Sequence, residues 1–316
     1  MEMPLKAGCD YPNTYREFVK MFPDNAACAT YLIKLRWPNG YICPACEMTT
    51  TPKQGSRGRL TCPLCRHRIY AQAGTIFDKT RTPLTTWFEA AWHICTAKNG
   101  MSATTLERTL GVRYRVAWTM LQRFQVAMVD TSRKALSGNI EVDETLVGGV
   151  KKGGKRGRGT TKSIVVIAIE VLEPKGFGRI RMRHIPDASS ASLLPFISAV
   201  AAPDSVIHTD GWSGYNGLSE FKFTHEITVQ STSNDQAHVS MPGVHCIASL
   251  LKRWILGTLQ GSIVPEHLQS YLEEFTFRFN RRTSKSRGLV FRRLLEHAVV
   301  TNPVTENDVT HGYNWG

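Results

Sequence analysis

Two short cysteine pairs constrain this chain more than any other feature. Cys43-Pro44-Ala45-Cys46 and Cys62-Pro63-Leu64-Cys65 stand fifteen residues apart in a chain of 316 residues. Each C-x-x-C lets two thiolates reach one ion from a tight turn, and two such turns complete a tetrahedral four-sulfur site. The stretch between them is punctuated by glycine and proline, long enough for a short hairpin and too polar for a core. A closed four-thiolate site leaves no open position for substrate, so the Zn²⁺ it implies, one per chain, is structural. Two disulfides, or four unrelated buried cysteines, are the alternative that this spacing argues against. The remaining cysteines, Cys9, Cys28, Cys95 and Cys246, are scattered and read as ordinary small side chains. Eight cysteines used in this way favour a reducing compartment.

The net charge of +13 favours a polyanionic partner. Its distribution matters more than its size. From Lys151 to Lys162 (KKGGKRGRGTTK) there are six basic residues, no acidic one and four glycines. Such a segment cannot pack a core and reads as a loop able to lie along phosphates, through Lys151, Lys152, Lys155, Arg156 and Arg158. Hydrophobic content of 42% and charged content of 21% fit a globular protein large enough for two or three domains. No stretch approaches the roughly 18 apolar residues of a membrane span, and Met1-Glu2-Met3-Pro4-Leu5-Lys6 lacks the apolar core of a signal peptide. The expected setting is cytoplasmic, with no membrane partner.

Organisation along the chain follows from periodicity. Residues 1–36 read as a helical segment, 37–78 as the zinc ribbon, and 79–136 as a helical region ending in a helix-turn-helix pattern. In that pattern Ser102 caps a helix, Leu106 and Leu110 pack inward, and Gly111 permits a sharp turn. The second helix starts near Tyr114, and Arg113, Arg115 and Arg123 could meet phosphates or bases. Composition changes near residue 138. Asn139 to Val147 alternates at period two and reads as a strand, while Ser163 to Val171 is a continuous apolar run of the kind a central strand shows. Gly178 to Ile185 alternates again and reads as lying towards an edge. Ala188 to Ala201 reads as a helix, Ser205 to Asp210 as a fourth strand, and 243–257 and 265–281 as helices. An α/β sheet covered by helices is the expected fold over 137–300, followed by a polar tail at 301–316.

Two aspartates stand out by position. Asp143 sits mid-strand with Glu141 on the same face, and Asp210 ends an apolar strand before Gly211. A carboxylate on a buried strand is costly unless it is paired or holds a metal. Two of them on adjacent strands make a ready Mg²⁺ site. The helix at 243–257 places His245, Ser249 and Lys252 on one stripe, two turns long, opposite a core face of Val244, Ile247, Leu251 and Trp254.

Taken in order, these pieces resemble a bacterial insertion-sequence transposase of the DDE superfamily, in the group with an N-terminal zinc ribbon. The resemblance rests on Arg36-Trp37-Pro38 with the two cysteine knuckles, Gly74-Thr75-Ile76-Phe77, and Val142-Asp143-Glu144-Thr145 with Gly148-Gly149. It continues through His208-Thr209-Asp210-Gly211-Trp212, Ser249 to Trp254, and Phe275 to Arg282. It implies an RNase H-like catalytic domain, a mixed sheet flanked by helices, that binds two divalent ions and cleaves and joins DNA strands. Carried over by position, the metal-binding residues fall on Asp143, Asp210 and His245, and the basic residue two turns later on Lys252. His245 departs from the acidic or amide third residue of many relatives and points to Mn²⁺ as readily as Mg²⁺. Glu266, Glu273 and Glu274 lie beyond the motif and read as surface or packing residues. The resemblance also implies double-stranded DNA as partner (element ends and target), with Arg281 and Arg282 extending the basic surface. It implies a homodimer or higher assembly on that DNA, and a nucleoid-associated bacterial location. Two alternatives stay open at this level: a DNA-binding protein with an impaired site, and a metal-dependent nuclease of the same fold.

Overall fold

The computed structural model describes residues 4–55, 58–129, 133–148, 162–228, 241–261 and 263–315. The chain divides into two compact units: Met1–Asp130 with Thr283–Gly316, and Thr131–Arg282.

The first unit begins with helices α1 (Tyr15–Met21) and α2 (Asn25–Arg36), each started by a side-chain cap, Thr14 and Asp24 respectively. The ribbon follows as two small sheets. Strands β1 (Tyr41–Ile42) and β2 (Thr49–Thr50) form a pair, and β3 (Lys53–Gln54), β4 (Arg59–Thr61) and β5 (Arg68–Tyr70) an antiparallel three-stranded sheet. The buried residues of its core are Tyr41, Cys43, Leu60 and Cys62, with Ile33 and Trp37 packed against them. Helix α2 thus supplies one wall of the ribbon.

Helices α3 (Leu84–Thr96), α4 (Ala103–Leu110) and α5 (Tyr114–Ala127) complete the forward part of this unit. The helix-turn-helix signals hold. Ser102 accepts from the Thr105 N–H, and Gly111 adopts the left-handed conformation (φ 64°) that ends α4. The unit then takes back the end of the chain. Helix α9 (Arg287–Ala298) packs on α2, α3 and α5, burying Val290, Phe291, Leu294 and Leu295. The sequence reading ran the sheet domain on to residue 300; the observed division falls between 282 and 283. The expected polar tail also differs. It contains α10 (Glu306–His311), fixed by a capping box between Thr305 and Asp308, and it buries Val304 and Val309.

The second unit is a five-stranded sheet, β10-β9-β6-β7-β8, formed by β6 (Asn139–Val147), β7 (Ser163–Val171), β8 (Phe177–Ile185), β9 (Val206–Asp210) and β10 (Thr224–Thr228). The first three strands meander antiparallel, and β9 and β10 then add in parallel beside β6. This is the mixed sheet of an RNase H-like fold. Strand β7 lies at neither edge and is buried on both faces, which accounts for its unbroken apolar run. Its alternate residues serve two cores. Ile164, Val166 and Ala168 pack with α6 (Ser190–Val200), through Leu193, Phe196, Ile197 and Val200. Val165, Ile167 and Ile169 pack beneath α7 (Pro242–Leu259) and α8 (Pro265–Asn280), through Val244, Ile247, Leu251, Leu268 and Leu272. Among the described residues no helix is long and apolar enough to cross a membrane.

Candidate active site and metal centres

The two cysteine turns have the same backbone construction. Glu47 N–H donates to Cys43 O and Cys43 N–H to Met48 O; Arg66 N–H donates to Cys62 O and Cys62 N–H to His67 O. Glu47 (φ 57°) and Arg66 (φ 62°) each take the left-handed conformation that closes the turn. Four sulfurs result within 4.8 Å of one another, with Cys43 Sγ 3.5 Å from Cys65 Sγ and Cys46 Sγ 3.8 Å from Cys62 Sγ. Zn–S bonds of about 2.3 Å in a tetrahedron require sulfur separations of about 3.8 Å. The donor set and its spacing therefore fit zinc. The backbone N–H groups of Cys65 and Leu64 also draw the Cys62 thiol below its ordinary pKa, against the effect of burial.

In the sheet unit, parallel pairing sets the site. Asn139 lies opposite Val206 and Glu141 opposite His208, an offset of 67 residues. The pairing ends there; Asp143 follows two residues on along β6, and Asp210 two residues on along β9. Alternation puts Ile140 and Val142 in the α6 core, and hence Glu141 and Asp143 on the face under α7. Asp143 Oδ1 accepts the N–H of Glu144 (2.8 Å), and Asp210 Oδ1 accepts the N–H of Trp212 (3.1 Å). Both carboxylates bear on Tyr215. That fully buried phenol donates to Glu144 Oε2 (2.6 Å), and its pKa lies well above the ordinary value. Burial is the first cause, followed by the charges of Glu144, Asp143 and Asp210. The turn after β9 is held by the Trp212 indole, whose Nε1 donates to Ala188 O at 2.7 Å.

Helix α7 docks onto β6 through Glu141. This carboxylate is buried, at 5% exposure, and accepts the Val244 N–H at 3.0 Å from the first turn of the helix. Burial raises its pKa, while the N–H groups of Val244 and Gly243 and the nearby His208 act in the opposite sense. The approach is so close that a Cβ on Gly243 would lie 2.9 Å from Glu141 Oε2 and 3.1 Å from both Ile169 and Phe177. His245 therefore sits in the helix turn clamped to the strand that carries Asp143. Two turns on, Lys252 is exposed as a residue, yet its ammonium is held below its ordinary pKa. Partial desolvation comes first, then the ammonium of Lys162, with Asp143 acting in the opposite sense. Lys252 and Lys162 are thus within electrostatic reach of one another, and Lys252 within reach of Asp143. Among the described residues, the four cysteines form a group of metal-type ligands drawn tightly together.

Sequence reasoning passed over three participants. Lys162 was read as the end of the basic loop. His208 and Glu226 face each other across β9 and β10, with Nδ1 3.3 Å from Oε2. The His208-Thr209-Asp210 triplet held a signal for the first of these; Glu226 lies on an edge strand with none. Of the glutamates on α8, Glu266 is exposed, whereas Glu273 and Glu274 are buried and Glu273 pairs with Arg133 at 3.1 Å.

The arginines expected to meet DNA separate into classes. Arg113 precedes α5 and is exposed. Arg115 is exposed too, but it pairs with Glu306 of α10 and donates to Thr310 Oγ1 (3.2 Å). Arg123 is half-buried and donates to Ile76 O at 2.9 Å, a structural bond within its unit. Arg281 and Arg282 lie over the rings of Phe277 and Phe279, each at 3.9 Å, and Arg282 also donates to Gly178 O and Phe177 O. Lys151, Lys152, Lys155, Arg156 and Arg158 lie outside the described residues.

Comparison with known proteins gives these observations a family. Residues 135–280 match the family model of the ISXO2-like transposase domain, and residues 23–68 that of the transposase zinc-ribbon domain. A Halobacterium salinarum protein described as an uncharacterized protein in transposable element ISH50 is 29% identical over 282 residues, covering 82% of this chain and 92% of its own. An uncharacterized transposase-like protein of Haemophilus influenzae is 32% identical over 116 residues, 37% of this chain and 93% of its own. Among solved structures, a simian T-cell lymphotropic virus intasome in complex with PP2A regulatory subunit B56 gamma aligns over 69% of this chain and 77% of that one. Its identity is 14% and its TM-score 0.33, too loose to carry weight. Matched over its ribbon and over its sheet unit by these family models, and along nearly all of the Haemophilus relative, the chain belongs to the ISXO2-like transposase family.

Proposed function

We propose that this chain binds the terminal inverted repeats of an insertion sequence and catalyses metal-dependent cleavage and transfer of DNA strands. The observation that supports this reading is the parallel pairing of β6 and β9, whose offset, continued past Glu141 and His208, would bring Asp143 beside Asp210, with Lys252 within electrostatic reach of Asp143. Each carboxylate accepts a backbone N–H through Oδ1, and carboxylate oxygens are the ligands a hard cation prefers. Asp143, Asp210 and His245 would hold the divalent ions, Mg²⁺ or Mn²⁺. Bound there, the ions would supply an activated nucleophile and stabilise the entering and departing oxygens of an in-line displacement. An imidazole brings no negative charge, so His245 shifts the balance towards Mn²⁺.

The chain's own residues do the rest. Glu141 clamps the first turn of α7 and so sets where His245 stands relative to Asp143. Lys252, within electrostatic reach of Lys162 and of Asp143, is suited to holding a scissile phosphate as a point charge. Water serves as nucleophile for cleavage; the freed 3′-OH then takes its place against a target strand. Recognition of the element ends falls to the ribbon and to the helices up to residue 130, and bringing two ends together calls for a dimer or larger assembly.

A second reading, a DNA-binding protein with an impaired site, rests on residue type: a histidine at 245 brings no negative charge to a site for divalent cations. One assay separates the readings. Supercoiled DNA carrying the cognate ends is incubated with the protein and Mg²⁺ or Mn²⁺. Cleavage and joined products should vanish in Asp143→Asn and Asp210→Asn and in His245→Ala, and His245→Glu should retain activity with Mg²⁺. Equal products from wild type and both aspartate variants would end the enzymatic reading, and nicks without joining would make the protein a nuclease.

A further inference from the structure

The ribbon has two unlike sheet faces, and the outer one is a cationic strip. Between Glu47 and Asp78 the sequence has no acidic residue but carries Lys53, Arg57, Arg59, Arg66 and Arg68. Register decides where the described ones go. Leu60 pairs with Ile69 and Gln54 with Leu60, which puts these three on one face; Leu60 is fully buried there with Cys62. The preceding Gly58 confirms that this face turns inward, since a Cβ there would lie 2.8 Å from Ala29 of α2. The intervening residues must then face away from α2. Lys53 pairs with Thr61 and Thr61 with Arg68, making one row across all three strands; Arg59 pairs with Tyr70 in the next. Lys53, Arg68 and Tyr70 are exposed, Tyr70 at 50%.

We propose that this outer face of the zinc ribbon, through Lys53 and Arg68 with Tyr70 beside them, is a docking surface for the phosphate backbone of duplex DNA. The inference rests on the reading above that DNA is the partner, and it deepens that reading by naming the surface. Two cations in one row, no carboxylate nearby in sequence to neutralise them, and an exposed aromatic alongside complement a polyanion. A pair of phosphate contacts positions the ribbon without reading bases, so the strip contributes affinity equally to any duplex. The zinc holds it rigid: β4 leads straight into Cys62, and β5 begins three residues after Cys65.

The test uses the full-length, zinc-loaded protein and fluorescence anisotropy, with a labelled duplex carrying the element terminus and a scrambled duplex of equal length. No divalent ion beyond zinc is added. Lys53→Ala/Arg68→Ala should weaken binding to both duplexes and reduce the salt slope by about 2, so that wild type loses roughly tenfold more affinity than the variant between about 50 and 200 mM salt. Tyr70→Ala should weaken binding with the slope unchanged. Arg16→Ala/Lys20→Ala, which removes the same charge from exposed residues of α1, is the control and should change little. One zinc per chain in every variant shows that the ribbon is intact. Unchanged affinity and slope in the ribbon variant would overturn the proposal and leave an acidic protein surface as the partner for this face. Equal losses in ribbon variant and control would overturn it too, as a generic charge effect. Because binding is read without catalysis, failure of the strip and failure of the Asp143 and Asp210 site are separately visible.

Discussion

In the ribbon, two of the four fully enclosed core residues are themselves metal ligands, Cys43 and Cys62, and the strands run for two or three residues. In the sheet unit, strands of nine residues carry separate apolar clusters on their two faces, each closed by helices. The first construction delegates its stability to one ion; the second distributes it over many contacts. They should therefore respond to different insults. Zinc withdrawal should dismantle one unit's ribbon and leave the sheet standing, whereas a core deletion should do the reverse.

The largest expected effect is on the metal side. Structural zinc contributes about 10–16 kcal/mol of binding free energy that a ribbon of this size converts into folding. Cys62→Ser should abolish stoichiometric zinc by metal analysis and open the ribbon peptides, 41–70, to fast hydrogen exchange. Exchange in β6 and β7 should stay as slow as in wild type. Loss of protection in both regions at once would show that the comparison is false and that the sheet depends on the ion.

The converse perturbation is Ile167→Ala. Ile167 sits at the middle of β7, 1% exposed, within the core beneath α7 and α8. A buried isoleucine truncated to alanine costs about 2–5 kcal/mol, depending on how far the site collapses. Hydrogen exchange should quicken across β6, β7 and β8, while zinc content stays at one per chain. Next in size comes Gly243→Ala. Its new methyl has no room against Glu141, Ile169 and Phe177, and overpacking of this kind costs about 1–3 kcal/mol. Strain here should shift the first turn of α7 off β6. It should lower DNA cleavage more than it lowers the unfolding midpoint, since His245 is in that turn.

These contrasts also explain what the sequence could reveal. The knuckles were legible because metal geometry fixes ligand spacing locally. Strand β7 was legible because burial on both faces writes an unbroken apolar run. Strand β10, Thr-His-Glu-Ile-Thr, was not, because an edge strand exposed on one side carries no such pattern. Helix α9 has a clear apolar stripe, but nothing local says that the stripe belongs to the first unit and not to the sheet. The same limit applies to Arg123 and Arg282. A basic residue on a helix looks alike whether it meets a phosphate or, as here, a carbonyl of its own chain. Asp143 and Asp210 each stood out alone; whether two such residues adjoin is a matter of strand register, which the sequence does not state.

The smallest effect tests the polar margin of the sheet unit. Glu170 on β7 is nearly buried and accepts from the Arg179 backbone and side chain and from the Ser137 N–H. Its pKa is lowered in the folded state. Burial, the largest single influence, pushes it up, but the Arg179 bonds and the Ser137 N–H together outweigh it. A depressed carboxylate contributes stability above its unfolded pKa and loses it as pH falls through the folded value. At neutral pH, Glu170→Gln should therefore cost about 1–3 kcal/mol, because an amide cannot accept all of these donors and its own NH₂ would face the guanidinium. Below the folded pKa the wild-type residue is protonated as well, and the two proteins should converge. Exchange rates of β7 and β8 amides, followed from neutral into acid, should show the gap close. A gap that stayed constant would mean that Glu170 holds the strand by shape alone, and that the sheet unit owes its margin entirely to its two apolar faces.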